Sequence, residues 1–90
     1  YMRAIRIIVK GLVQGVGFRY YCYKLAKEYG ITGYAKNLYN RDVEILAQGE
    51  EGLLNDFIRR VNIGPPMSRV TSLHKEETKY DDKMKTFEVY

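Results

Sequence analysis

Apolar residues change their spacing at Phe18, and that change limits the folds open to the chain. Upstream, Ile5, Ile7 and Val9 recur every second residue, while Arg6 and Lys10 fall on the other side. A period of two predicts a strand with one buried face over Ala4 to Lys10. From Phe18 the spacing becomes three and four: Phe18, Tyr21, Cys22, Leu25, Ala26 and Tyr29. That pattern predicts an amphipathic helix, with Gly30 just past its end. The period then returns to two. Ile31 to Asn37 reads as a second strand, and Asp42 to Gln48 as a third, with Val43, Ile45 and Ala47 on one face. Leu38 to Arg41 lies between them as a hairpin connection. Glu50 and Glu51 favour a helix start by opposing the positive end of its dipole. Leu54, Phe57, Ile58 and Val61 form the apolar stripe of this second helix, and Gly64-Pro65-Pro66 stops it. Arg69 to Glu77 and Thr86 to Val89 read as the last strands, with the polar run Lys79 to Lys85 as the loop between them.

The order is therefore strand, helix, strand, strand, helix, strand, with a short strand added at the end. Two helices on one face of a mainly antiparallel sheet of four to five strands form an α+β, ferredoxin-like βαββαβ sandwich. Each strand then has one face on the core and one in water, as the alternation requires. Ninety residues suffice for one domain, residues 1–90, with a single modest core. No apolar run approaches the roughly 20 residues of a membrane span. No basic-then-apolar leader is present either, so the chain is expected in the cytoplasm. One cysteine, Cys22, excludes an internal disulfide and a cysteine-based zinc site; His74, the one histidine, has no histidine partner for a metal. The formal charge of +4 suits an anionic partner without naming it.

The segment Gly11-Leu12-Val13-Gln14-Gly15-Val16-Gly17-Phe18-Arg19 runs from the end of the first strand into the first helix. A glycine-punctuated loop can aim several backbone N–H groups into one concavity, and a helix N-terminus adds its positive dipole end. Arg19 falls in the first helical turn. Helical side chains lean toward the N-terminus, so its guanidinium can return over the loop and bind two phosphate oxygens. The loop is not a Walker A sequence, since no Gly-Lys-Ser/Thr follows the glycines, and it lacks the dinucleotide spacing. By spacing alone, an anion site and a plain strand-to-helix turn both remain open.

Two further segments narrow the choice. Gly11 to Arg19 resembles the signature of the acylphosphatases, and Gly33-Tyr34-Ala35-Lys36-Asn37 resembles their second signature. Gly64-Pro65-Pro66 with Arg69-Val70 is similar to the exit from the family's second helix. The resemblance runs from the first strand to Phe87-Glu88-Val89-Tyr90. It implies the same ferredoxin-like fold and hydrolysis of carboxyl-phosphate anhydrides. By this resemblance Arg19 carries the phosphate, the loop Gln14, Gly15, Val16, Gly17, Phe18 supplies backbone amides, and Asn37 positions the attacking water. The partner implied is a small-molecule acyl phosphate, with inorganic phosphate or sulfate competing. No cofactor, metal, nucleic acid or membrane partner is expected, and the chain is expected to be a monomer. One departure stands out. The family usually carries Asp-Gly in the hairpin, where this chain has Asn40-Arg41.

No Ser-His-Asp arrangement and no general-acid pair is evident. An acyl phosphate tolerates that lack, because its leaving group is a carboxylate and needs no proton donor. Phosphoryl transfer depends chiefly on positioning and charge stabilisation. Two other readings are open to this architecture. An RNA-recognition module places aromatics on its third strand, whereas Val43-Glu44-Ile45-Leu46-Ala47-Gln48 has none. A non-catalytic anion-binding or regulatory domain would keep the pocket without turnover. Cys22 is expected to be a buried small hydrophobe, His74 is assigned no role, and the Tyr90 carboxylate is expected to reach Arg19 if the last strand docks beside the first.

Overall fold

Burial of alternate residues on neighbouring strands determines which face of the sheet the helices cover. The computed structural model describes all 90 residues and has the element order β1 (Met2–Leu12), α1 (Phe18–Tyr29), β2 (Thr32–Asn37), β3 (Val43–Glu50), α2 (Glu51–Ile63), β4 (Arg69–Thr78) and β5 (Phe87–Val89). The five strands form one sheet in the order β4-β1-β3-β2-β5, with only the β2–β5 pair parallel. Register aligns Ile5 with Ala47, Ile7 with Ile45 and Val9 with Val43, so these side chains make one apolar surface. Phe18, Cys22, Leu25 and Ala26 of α1 pack on it beside Leu54, Phe57, Ile58 and Val61 of α2, in one contiguous core. Neither helix is long and apolar enough to cross a membrane.

The element types match the sequence reading, and the boundaries shift where pairing extends them. β1 runs from Met2 to Leu12, two residues further at each end than its periodicity indicates. Its first residues pair with the end of β3, and Gly11 and Leu12 continue along β4 past a bulge at Lys10/Gly11. Leu12 therefore belongs to β1. β3 continues to Glu50, which closes the strand and caps the next helix at once: its carboxylate accepts a hydrogen bond from the Leu53 N–H at 3.1 Å.

Two polar groups are buried at the ends of β3, and both are satisfied. Gln48 Nε2 donates to the Asp81 carbonyl at 2.6 Å, and Asp81 N–H donates back to Gln48 Oε1 at 3.1 Å. This pins the loop between β4 and β5 to the central sheet. At the other end, Asp42 accepts from Lys10 Nζ at 2.6 Å and from Asn40 Nδ2 at 3.1 Å.

The hairpin between β2 and β3 carries the one left-handed side-chain residue of the protein. Arg41 N–H donates to Leu38 O at 3.2 Å, closing a turn that leaves Arg41 at φ 78°. Asn40 supports it by accepting from the Asp42 N–H. The turn thus keeps a geometry suited to glycine and fills it with arginine. A left-handed conformation costs a residue with a Cβ about 1–2 kcal/mol. Arg41→Gly is therefore expected to stabilise the fold by about 1 kcal/mol net, raising the melting temperature by about 4–8 °C for a domain of this size. An unchanged or lower midpoint in thermal unfolding followed by circular dichroism would contradict this account of the turn.

Candidate active site

The loop between β1 and α1 is anchored from below and from one side. Val13 is buried in the core. The Gln14 side chain turns sideways, and its Nε2 donates to Leu38 O and to Asp42 O, both at 2.8 Å. These two carbonyls belong to the hairpin that follows Asn37. One amide group thus fixes the distance between the glycine loop and the end of β2.

Gly15 and Gly17 have φ of 75° and 78°, while Val16 between them stays at negative φ. Alternating φ signs turn successive backbone N–H groups toward one side, the geometry of an anion-binding nest. The nest runs into α1. Gly17 is the N-cap and offers no side-chain acceptor, and the first turn contains no acidic residue. The positive end of the helix is left neither capped by a side chain nor opposed by a carboxylate.

Arg19 is half-buried in that first turn, and its Nη1 donates to the main-chain oxygen of Tyr90 at 2.6 Å. The expected route to this contact is corrected by the sheet. β5 does not dock beside β1; it lies beside β2, parallel to it, with Val89 opposite Ala35. Tyr90 extends the pairing, its N–H donating to Ala35 O at 2.9 Å. Because the two strands run the same way, β5 ends at the same edge as Asn37 and brings Tyr90 O to the guanidinium.

These elements enclose a hollow of about 210 Å³ on which Gly15, Gly17, Phe18, Arg19 and Asn37 all lie. Gln14 and Val16, counted with them in the sequence, are not on its wall: Gln14 faces the hairpin, and Val16 packs against the core. Val13, Tyr20 and Val89 complete the wall, and the motifs point to neither Tyr20 nor Val89. Tyr20 could have been suspected from its place beside Arg19, whereas Val89 arrives only through β5. Three depressions are wider: two of about 750 and 560 Å³ flank β4 and β5, and one of about 420 Å³ lies on the loop between those strands. None joins a nest to a guanidinium, so chemistry outweighs size in choosing the site.

A family model described as Acylphosphatase matches residues 5–89. The chain belongs to the acylphosphatase family. This is an enzyme family, and the chain is similar over nearly its whole length to proteins that bear its name. An acylphosphatase of Thermotoga petrophila is 46% identical over 77 residues, covering 86% of each chain. One from Archaeoglobus fulgidus is 43% identical over 88 residues, covering 98% of each. The crystal structure of acylphosphatase from Bacillus subtilis superposes with a TM-score of 0.93 at 38% identity, over all of this chain and 99% of that one.

The one thiol of the chain takes no part in the hollow. Cys22 is fully buried in the core face of α1, and burial pushes its thiol up to about 12. A thiol held there is protonated throughout the neutral range and shielded from reagents. The folded protein at pH 8 is expected to resist a disulfide exchange reagent such as dithiobisnitrobenzoate, and to release one equivalent of thiol on unfolding in guanidinium. Stoichiometric reaction of the folded protein within seconds would contradict this placement.

Proposed function

We propose that the chain hydrolyses the carboxyl-phosphate bond of small acyl phosphates, giving a carboxylate and inorganic phosphate. The observation that carries this reading is the shared hollow, on which the paired left-handed glycines, Arg19 and Asn37 converge from two separate parts of the chain. In this reading the backbone N–H groups of the loop from Gln14 to Phe18 and the Arg19 guanidinium bind the phosphoryl oxygens. A planar guanidinium meets two oxygens at once, and amides already turned inward need no reorganisation as charge shifts between them.

Asn37 contributes the other half of the reaction. Its exposed carboxamide at the end of β2 has an oxygen that accepts a hydrogen bond from water, holding the water oxygen toward phosphorus. The carboxamide is not basic. As the new P–O bond forms, the bond to the acyl oxygen breaks, the electron pair leaves on the carboxylate, and the water's protons pass to the phosphate product and solvent. The leaving carboxylate is a weak base, so no acid is required to protonate it. No group of three or more histidine, cysteine or acidic side chains is gathered to hold a metal. The reading takes the enzyme as a monomer acting on a small anion, with inorganic phosphate or sulfate competing for the hollow. A buried thiol without a partner is at ease in a reducing compartment, which suits a cytoplasmic location.

Hydrolysis of benzoyl phosphate, followed by absorbance, tests the assignment. Arg19→Ala is expected to lower kcat/KM by about a thousandfold. Asn37→Ala is expected to lower kcat by about a hundredfold or more, while inhibition by inorganic phosphate moves by less than about threefold. Activity is expected to survive EDTA. Phosphate binding without turnover in the wild type would favour the anion-binding, regulatory alternative. Full activity of Arg19→Ala would refute the role of the hollow.

A further inference from the structure

The hollow offers more than an anion needs. Of the four apolar residues on its wall, Val13 and Phe18 are buried at 1% exposure, whereas Tyr20 and Val89 are 64% and 43% exposed. A bound phosphate is satisfied by amides and a guanidinium and draws no benefit from exposed carbon. The rest of the substrate does. A phosphoryl group held by the nest must direct its acyl oxygen toward solvent, and the acyl group then leaves the hollow past Tyr20 and Val89.

The two side chains are not equivalent. Val89 presents a small aliphatic surface at the end of a three-residue strand. Tyr20 presents a ring fixed in direction. It stacks on Tyr23 with centroids 6.2 Å apart and planes at 23°. Lys24 Nζ stands 5.7 Å from its centroid. Both neighbours lie one turn further along α1, so they back the ring from its C-terminal side. The Tyr20 side chain itself leans toward the helix N-terminus, where the glycine loop lies. Tyr23 is braced in turn, with Lys27 Nζ 5.3 Å from its ring centroid. An exposed aromatic held this way is a preformed surface, and a ligand that uses it has little ordering left to do.

We propose that Tyr20 is the resting surface for the acyl side of the substrate and gives this enzyme a preference for acyl phosphates with a planar, aromatic or conjugated acyl group. The inference rests on the active-site reading above and extends it to the part of the substrate that does not react. A phenol ring is electron-rich, and an aryl group conjugated to a carbonyl is electron-poor, so the two favour an offset stack. A small aliphatic acyl group reaches Tyr20 with too little surface to gain from it. The effect belongs in KM more than in kcat, because the stack holds substrate and transition state alike.

The test compares benzoyl phosphate with acetyl phosphate on wild type, Tyr20→Ala and Tyr20→Phe. Comparing the ratio of the two kcat/KM values across variants cancels the intrinsic reactivity of each substrate. Tyr20→Ala is expected to lower the benzoyl-to-acetyl ratio about fivefold, the size of one aromatic stack, with the change carried by KM for benzoyl phosphate. Tyr20→Phe keeps the ring and is expected to hold the ratio within about twofold of wild type. Inhibition by inorganic phosphate, which has no acyl group, is expected to shift less than about twofold in either variant. A ratio unmoved by Tyr20→Ala overturns the proposal, and so does a Tyr20→Phe enzyme that behaves like Tyr20→Ala. If the wild type hydrolyses neither substrate, the active-site reading itself fails and takes this inference with it. Hydrolysis of both at a ratio indifferent to Tyr20 overturns the inference alone.

Discussion

Gln14 Nε2 donates both of its protons to carbonyls of the β2–β3 hairpin, at 2.8 Å each. The two parts of the hollow depend on that contact. The glycine loop and Arg19 belong to the β1–α1 connection; Asn37 belongs to the end of β2. The sheet alone does not place them side by side, since β3 lies between β1 and β2. Gln14 crosses that gap at the sheet's edge, where the strands end. It also gives the Leu38 and Asp42 carbonyls, each already holding a backbone N–H, a second partner at a turn strained by Arg41. A side chain that looks like part of the phosphate loop in sequence is, in space, the brace between that loop and the residue assigned to water.

The site also depends on what is missing. Gly17 caps α1 without a side-chain oxygen, and the first turn has no carboxylate. Many helices use both to satisfy and neutralise their N-terminal amides. In the proposed reading those groups are left to a ligand. The nest adds amides turned by the opposite φ signs of Gly15 and Val16, so an anion meets a field fixed by the backbone. Arg19 is the charged member, and it is steadied by the main-chain oxygen of Tyr90. The rest of the wall is Asn37 with the apolar Val13, Phe18, Tyr20 and Val89; in the proposed reading the exposed apolar part is left to the acyl group.

Much of this was legible in the residues. Period-two spacing located the strands, and spacings of three and four located both helices, because burial on one face of each element governs which positions are apolar. The glycine loop and Asn37 were legible as motifs. What escaped detection were features that arise between elements. The ends of β1 and β3 depend on partners that supply hydrogen bonds beyond the run of alternating buried residues. Gln48 is polar by identity and buried by position, because Asp81 answers both ends of its carboxamide. Tyr20 and Val89 read locally as an exposed helix residue and an end of strand. Their place on the hollow follows from how β5 docks, and β5 carries too few residues to declare its neighbour. The side on which Gln14 would be used was invisible for the same reason.

The sheet order also governs how the chain must assemble. β1 sits between β3 and β4, with Ile5 opposite Ala47 on one side and Glu77 on the other. Neither neighbour is local, and the outer one, β4, follows both helices in the chain. Large loops must close before the central strand gains either partner, and the entropy of that closure precedes the reward. Helices of 12 and 13 residues can flicker into existence early, yet they have nothing to lie on until the strands meet. The wiring argues for a slow, concerted search in which β1 stays unpaired until both β3 and β4 reach it.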